Sequence, residues 1–239
     1  IHERLVGSEM CIRDRSISLN EHLRGTKRTL QYRPDGDEFV CVNGKNRYTR
    51  ALYGSHSPFR VETSDRPVFA FYNNGRGGNI SFKVILRDGT ELALDCTGHC
   101  ESRYSAGKRT YYLTDPSWGK GELRISVLAL ADMDGAIWRF SPSNMPKGAI
   151  LRWQHGGATG KRLSRNGDMG VDPADCFELP VEATDLVTGE LPLQKEVYLV
   201  RGEVPEDYNV RKLYQQAEAA SLALASHLKI ETPDPYLNT

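Results

Sequence analysis

The side chains with the most chemistry to offer are arginines set among acids and rings. Arg47, Arg50 and Arg66 fall within a short stretch that also holds Tyr53, Arg60, Glu62 and Asp65. A guanidinium is planar and presents several N–H donors in a fixed fork, so it grips carboxylates and fixes sugar-like or backbone oxygens. The same residues equally suit a strand-rich core segment in which each arginine answers a nearby acid. Farther along, Trp153 and His155 enter a glycine-rich stretch that also contains Arg165. Rings at the mouth of such a loop can stack on a sugar face; the alternative is Trp153 in the core and His155 in water. The candidate carbohydrate or interdomain contacts are therefore Arg47, Arg50, Tyr53, Arg66, Trp153, His155 and Arg165.

Other chemistries lack their constellations. Glycoside hydrolysis by two carboxylates needs them roughly 5–10 Å apart across one bond. The acids Asp88, Asp115, Asp132, Asp134 and Asp168 sit in turn-like sequence, and no spacing singles out a pair. Asp132-Met133-Asp134-Gly135 reads as a hairpin turn and lacks the later ligand positions of a calcium loop. His155 to Arg162 imitates a phosphate loop, but His155 stands where the first glycine belongs and Arg162 where a Ser or Thr belongs. Of the five cysteines, Cys96 and Cys100 flank Thr97-Gly98-His99, and a regular strand would turn both thiols to one side. Cys41 and Cys176 are single and distant and supply no matching half-site for zinc. No catalytic residue, metal or cofactor is expected.

What must position these residues is a set of short strands. The chain has 239 residues with 31 basic and 31 acidic side chains, and that balance argues against a nucleic-acid partner. No apolar run reaches the length of a membrane span. Asn43-Gly44 is a turn dipeptide between apolar and aromatic runs, as between two paired strands. Arg87-Asp88-Gly89-Thr90 joins an alternating run from Ile80 to Glu91-Leu92-Ala93-Leu94, the strongest hairpin signal. Further strands fit 101–104, 109–113, 122–130, 136–140 and 149–153; 73–78 and 156–170 read as loops. Val210, Leu213, Ala217, Ala220, Leu224 and Leu228 then recur at helical spacing, with Asp207 as N-cap and Thr232-Pro233-Asp234-Pro235 as the stop. The fold class expected is mostly β, an antiparallel β-sandwich (supersandwich-like) followed by a linker α-helix.

The run Asn43-Gly44, Arg50-Ala51-Leu52-Tyr53-Gly54, Phe59-Arg60-Val61-Glu62 and Asp65-Arg66-Pro67 with Phe69-Ala70 resembles an uncharacterised bacterial family, a domain of unknown function numbered 4450. The resemblance extends from about Leu30 to the C-terminus. It implies the N-terminal β-sandwich of a large secreted or periplasmic glycosidase-like protein that continues into an (α/α)6 toroid. Residues 1–15 resemble a translated sequencing adapter and are set aside. The expected division is then 1–15 artefact, 16–204 sandwich, and 205–239 linker helix with the start of the toroid. The implied function is a non-catalytic sandwich that packs on the toroid of the same polypeptide and shapes a cleft acting on complex carbohydrate. A free-standing carbohydrate-binding module and a sandwich glycosidase are the alternatives. The partners expected are the toroid and carbohydrate, with no nucleic acid and no membrane span.

Overall fold

Alternation decides the architecture. Along Glu122–Ala129, Leu123, Ile125 and Val127 turn one way into a core, while Glu122, Arg124 and Ser126 turn the other. Strands built this way bury one face against a second sheet. The computed structural model describes residues 31–54, 59–73, 76–105, 107–156, 186–225 and 231–238. The chain divides after residue 31, and all elements named below belong to the unit of residues 32–239.

Two antiparallel sheets of seven strands each make up the fold. The first runs β1 (Arg33–Asp35), β2 (Glu38–Val42), β8 (His99–Ser105), β9 (Lys108–Thr114), β10 (Glu122–Ala129), β11 (Gly135–Ser143) and β14 (Val197–Gly202). The second runs β13 (Leu186–Pro192), β12 (Ile150–Gly156), β6 (Arg76–Ile85), β5 (Phe69–Asn73), β4 (Arg60–Thr63) and β3 (Arg50–Tyr53), with β7 (Glu91–Ala93) on β6. Aromatic rings knit the sheets together. Phe69 of the second sheet meets Tyr111 and Trp138 of the first edge-on, with centroids 5.8 and 5.7 Å away. Phe82 packs on Phe140 at 5.1 Å. Edge-to-face rings of this kind add to what their burial alone contributes.

Helix α1 (Val210–Ala225) lies on the outer face of the first sheet. Leu213, Tyr214 and Ala217 bury Leu128, Leu130, Ile137 and Val200, and Lys108 Nζ donates to Glu218 Oε1 at 2.9 Å. Its N-cap is Asn209, whose side chain accepts from Lys212 N at 3.0 Å, and not Asp207. Asn209 stands next to the first helical residue and Asp207 is too early to reach the open N–H groups. The apolar face expected along the helix is buried only in its first half; Leu224 is 73% exposed, and Leu228 lies outside the described residues. A short helix α2 (Pro235–Asn238) follows, within the stretch expected to begin the next domain.

The Asp-Gly hairpin stands as expected. Gly89 adopts φ +86°, Thr90 N donates to Asp88 Oδ1 at 2.9 Å, and β6 pairs with β7. The Asn-Gly site does not form a hairpin. Asn43, at φ +50°, carries the chain out of β2 in one sheet toward β3 in the other. Its side chain accepts from Cys100 N at 2.9 Å, so the turn is spent on the neighbouring strand. Cys96 and Cys100 do not share a strand either. Cys96 is exposed in a 3-10 turn and Cys100 is buried on β8. The loop expected at 73–78 is mostly strand, because β6 begins at Arg76. The loop expected at 156–170 lies almost wholly outside the described residues.

Candidate functional site

The outer face of the first sheet is half covered by α1, and its other half is an open groove of about 490 Å³. Strand register builds its floor. Glu101 of β8 stands opposite Tyr112 of β9, Tyr112 opposite Arg124 of β10, and Arg124 opposite Ser141 of β11. The next row is His99, Thr114, Glu122 and Ser143. All eight residues line the groove. From β8 to β11 these rows cross three strand spacings, roughly 14 Å.

Tyr112 is the centre of this surface. The residue is 38% exposed, and two guanidiniums contact its ring, Arg103 at 5.8 Å and Arg124 at 5.3 Å from the centroid. Such stacking holds the ring in place and leaves part of it open to a ligand. The two cations differ in what else they do. Arg103 binds Glu101 at 2.6 Å, Glu38 at 3.0 Å and Asp35 at 3.1 Å, and the hydrogen bonds it donates to Glu101 and Glu38 hold it more firmly protonated than usual. Arg124 makes no ion pair among the described residues, and its Nε is buried without a hydrogen-bond partner. Glu122 is likewise unpaired among the described residues. The groove thus offers a ring, a free cation, a carboxylate, an imidazole and hydroxyls.

A second polar cluster is sealed inside. Asp65, in the turn after β4, and Arg109 of β9 come from opposite sheets and are both fully buried. Asp65 accepts from the Tyr32 hydroxyl, from Thr49 Oγ1 at 3.3 Å and from Asn46 N at 2.9 Å. Burial raises its carboxyl above the ordinary value, partly offset by the Asn46 N–H and by Arg109. Cys100 Sγ donates to Asp65 O at 3.6 Å, and burial pushes its thiol up to about 12. A thiol so placed is protonated and inert. Gly44 passes so close to the Asp65 carboxylate and Cys41 Sγ that a Cβ there would collide with both. This cluster joins the sheets and is closed to a ligand.

The seven residues singled out in the sequence do not converge on one surface. Arg50 stacks over Tyr32 and Tyr104, at 5.2 and 5.5 Å, and Nη1 donates to Thr49 O at 2.7 Å. Arg66 donates to Asp95 O at 3.1 Å and Thr97 O at 2.8 Å, tying the turn after β4 to the 3-10 turn after β7. Arg47 stacks on Tyr48 at 5.9 Å, beside a small pocket of about 140 Å³ on the second sheet. Tyr53 is 66% exposed on the edge strand β3. Trp153 and His155 are four strands away on β12, roughly 19 Å across the sheet. Trp153 packs on the core with Arg201 5.3 Å from its ring, and His155 Nδ1 lies 3.0 Å from Asn79 O. Arg165 lies outside the described residues. Trp118 and Trp138 are buried at 2% and 0%, so they present no ring to a sugar.

Of the local acids, Glu62 pairs with its neighbour Arg60 at 2.7 Å, as a strand-rich segment implies, whereas Asp65 pairs with the distant Arg109. No local pattern marks the groove residues, since β9 reads Lys-Arg-Thr-Tyr-Tyr-Leu-Thr, where Arg109 points inward and Tyr112 outward. Adjacent tyrosines, one on each face, were the available signal. Among the described residues no group of three His, Cys, Asp or Glu side chains is arranged to hold a metal ion. No helix among the described residues is long and apolar enough to cross a membrane.

No curated protein matches the sequence. A family model described as a domain of unknown function, DUF4450, matches residues 74–204, more than half of the chain, and the protein belongs to that family.

Proposed function

We propose that this is a non-catalytic carbohydrate-binding sandwich of a larger protein that acts on complex glycans outside the cytoplasm. In this reading the groove on the first sheet holds the glycan, and an (α/α)6 domain of the same polypeptide performs the chemistry. The observation that carries it is Tyr112, an aromatic ring clamped by Arg103 and Arg124 on an open groove floor with unspent polar groups around it. Sugar rings bury their C–H faces on such a ring and their hydroxyls on the groups beside it. The exposed Leu222 and Leu224 at the far end of α1 give a neighbouring domain apolar surface to cover.

Catalysis by the sandwich itself is less well supported. Glu101 is held by Arg103, and Glu122 has no second acid in its own cross-strand row. The test is calorimetric titration of the protein with soluble plant and host polysaccharides, alongside a hydrolysis assay on the same panel. Binding without turnover is expected. Tyr112→Ala should weaken binding about tenfold or more, in line with the 1–3 kcal/mol of a lost stacking contact, while Tyr112→Phe retains it. Turnover abolished by Glu122→Gln would replace this reading with the enzymatic one.

A further inference from the structure

We propose that the groove selects glycans bearing a uronic-acid carboxylate, and that Arg124 receives it. This rests on the groove being a glycan site. Three arginines stack on rings across the outer face of the first sheet, and two are already committed. Arg103 is satisfied by Asp35, Glu38 and Glu101. Arg139, on the next strand, lies 4.4 Å from the ring of Tyr214 and is roofed by α1. Arg124 alone has neither a carboxylate partner nor a covering element among the described residues, and it lines the open groove. Its guanidinium carbon lies 5.3 Å from the centroid of the Tyr112 ring, a cation–π contact that anchors the head group at the ring. A planar fork anchored beside the ring suits bidentate pairing with a planar carboxylate.

The neighbours are consistent with a sugar acid rather than a bare anion. A pyranose lying over the exposed part of Tyr112 can turn its ring carboxylate toward Arg124, with Thr114 and His99 lining the groove for its hydroxyls, beside Ser141 and Ser143, which also contact Glu196 and Asn144. Glu122 precedes Arg124 by two residues on the same face of β10, roughly 6.7 Å along the strand. It repels a carboxylate brought too near and so limits where the acid lies. Its substitution by Gln should tighten binding of an acidic sugar relative to a neutral one.

The experiment compares binding of oligogalacturonides, oligosaccharides with sulfate esters but no uronic acid, and neutral oligosaccharides of similar length. The proteins are wild type, Arg124→Gln, Arg124→Lys, Glu122→Gln and Tyr112→Ala. Circular dichroism and melting temperature establish that each variant is folded. The expected result is uronate binding that weakens with salt, falls about tenfold or more in Arg124→Gln, falls less in Arg124→Lys, and rises in Glu122→Gln. Equal binding of neutral and acidic sugars, lost only on Tyr112→Ala, would overturn the acid selectivity and keep the glycan site. Preference for the sulfated ligand would overturn the uronate assignment. Binding of none of the three would overturn both this inference and the function on which it rests.

Discussion

Arg109 and Asp65 face each other at 3.7 Å with neither side chain exposed, one from each sheet of the sandwich. Arg109 Nη2 also donates to Ser102 Oγ at 2.9 Å and to Ser64 O at 3.3 Å, while its Nε and Nη1 are buried without partners among the described residues. Removing one charge strands the other where water cannot reach it. Asp65→Ala should therefore destabilise the fold by about 3–5 kcal/mol in urea titration. Pairing that change with Arg109→Met should restore most of the loss, because an apolar pair needs no solvation. Additive losses would mean the two residues do not act as a unit.

Glu62 and Asp65 make the stability depend on pH in an unusual direction. Burial raises both carboxyls, and Arg60 offsets this only in part for Glu62. A carboxyl raised in the folded state contributes stability that is full below its unfolded value, about 4, and is lost as pH rises through its folded value. Wild type should thus lose melting temperature relative to Glu62→Gln as the pH rises above about 4. The exposed Asp88, lowered by the Thr90 N–H, acts in the opposite sense in both proteins and cancels in the comparison. A difference that stays constant with pH would contradict the assignment.

The thiols should separate by accessibility. Cys96 is exposed, whereas Cys41 and Cys100 are buried. With Cys100 pushed up to about 12 by burial, its thiolate is scarce at neutral pH. Brief treatment of the native protein with iodoacetamide should modify Cys96 and leave Cys41 and Cys100 until denaturant is added. Peptide mass mapping reads this directly, and equal labelling of the three in the native state would show that the cluster around Asp65 opens freely.

Gly189 on β13 is opposite Trp153, and a Cβ at Gly189 would come within 2.6 Å of the indole ring. The ring is packed on the core and stacked against Arg201, so it has little room to yield. Gly189→Ala should cost about 1–3 kcal/mol by overpacking. Adding Trp153→Leu should relieve the clash, leaving the double variant no less stable than Trp153→Leu alone. A neutral Gly189→Ala would place the ring farther from β13 than it is here.

Much of the sandwich is legible from local chemistry. Asp88-Gly89 supplies both the side-chain acceptor and the positive φ that a tight hairpin needs, and the flanking runs alternate. Asn43-Gly44 carries similar chemistry but serves a crossover, because its hydrogen-bond partner is Cys100, 57 residues away. Turn residues specify a bend and leave open which strand receives it. The groove was harder still to read. Glu101, Tyr112, Arg124 and Ser141 form a row only through the registers of three strand pairs, which no single stretch of sequence encodes. The arginines that stood out, Arg50 and Arg66, are conspicuous because they brace loops with backbone carbonyls and aromatic rings.

The family match and the cooperative folding unit do not coincide. The match spans 74–204, which begins at β6 and ends before α1. Left out are β3, β4 and β5, which close one side of the second sheet, and β1 and β2 at the edge of the first. Left out too are Leu213, Tyr214 and Ala217, which shield Leu128, Ile137 and Val200 from water. A chain trimmed to the matched residues would expose Phe82 and Trp138 where Phe69 now covers them, along with an unpaired β6 edge. Such an edge templates association. The stretch that marks kinship is an evolutionary signature embedded in a larger thermodynamic whole, and expression boundaries drawn from it would yield aggregate rather than a domain.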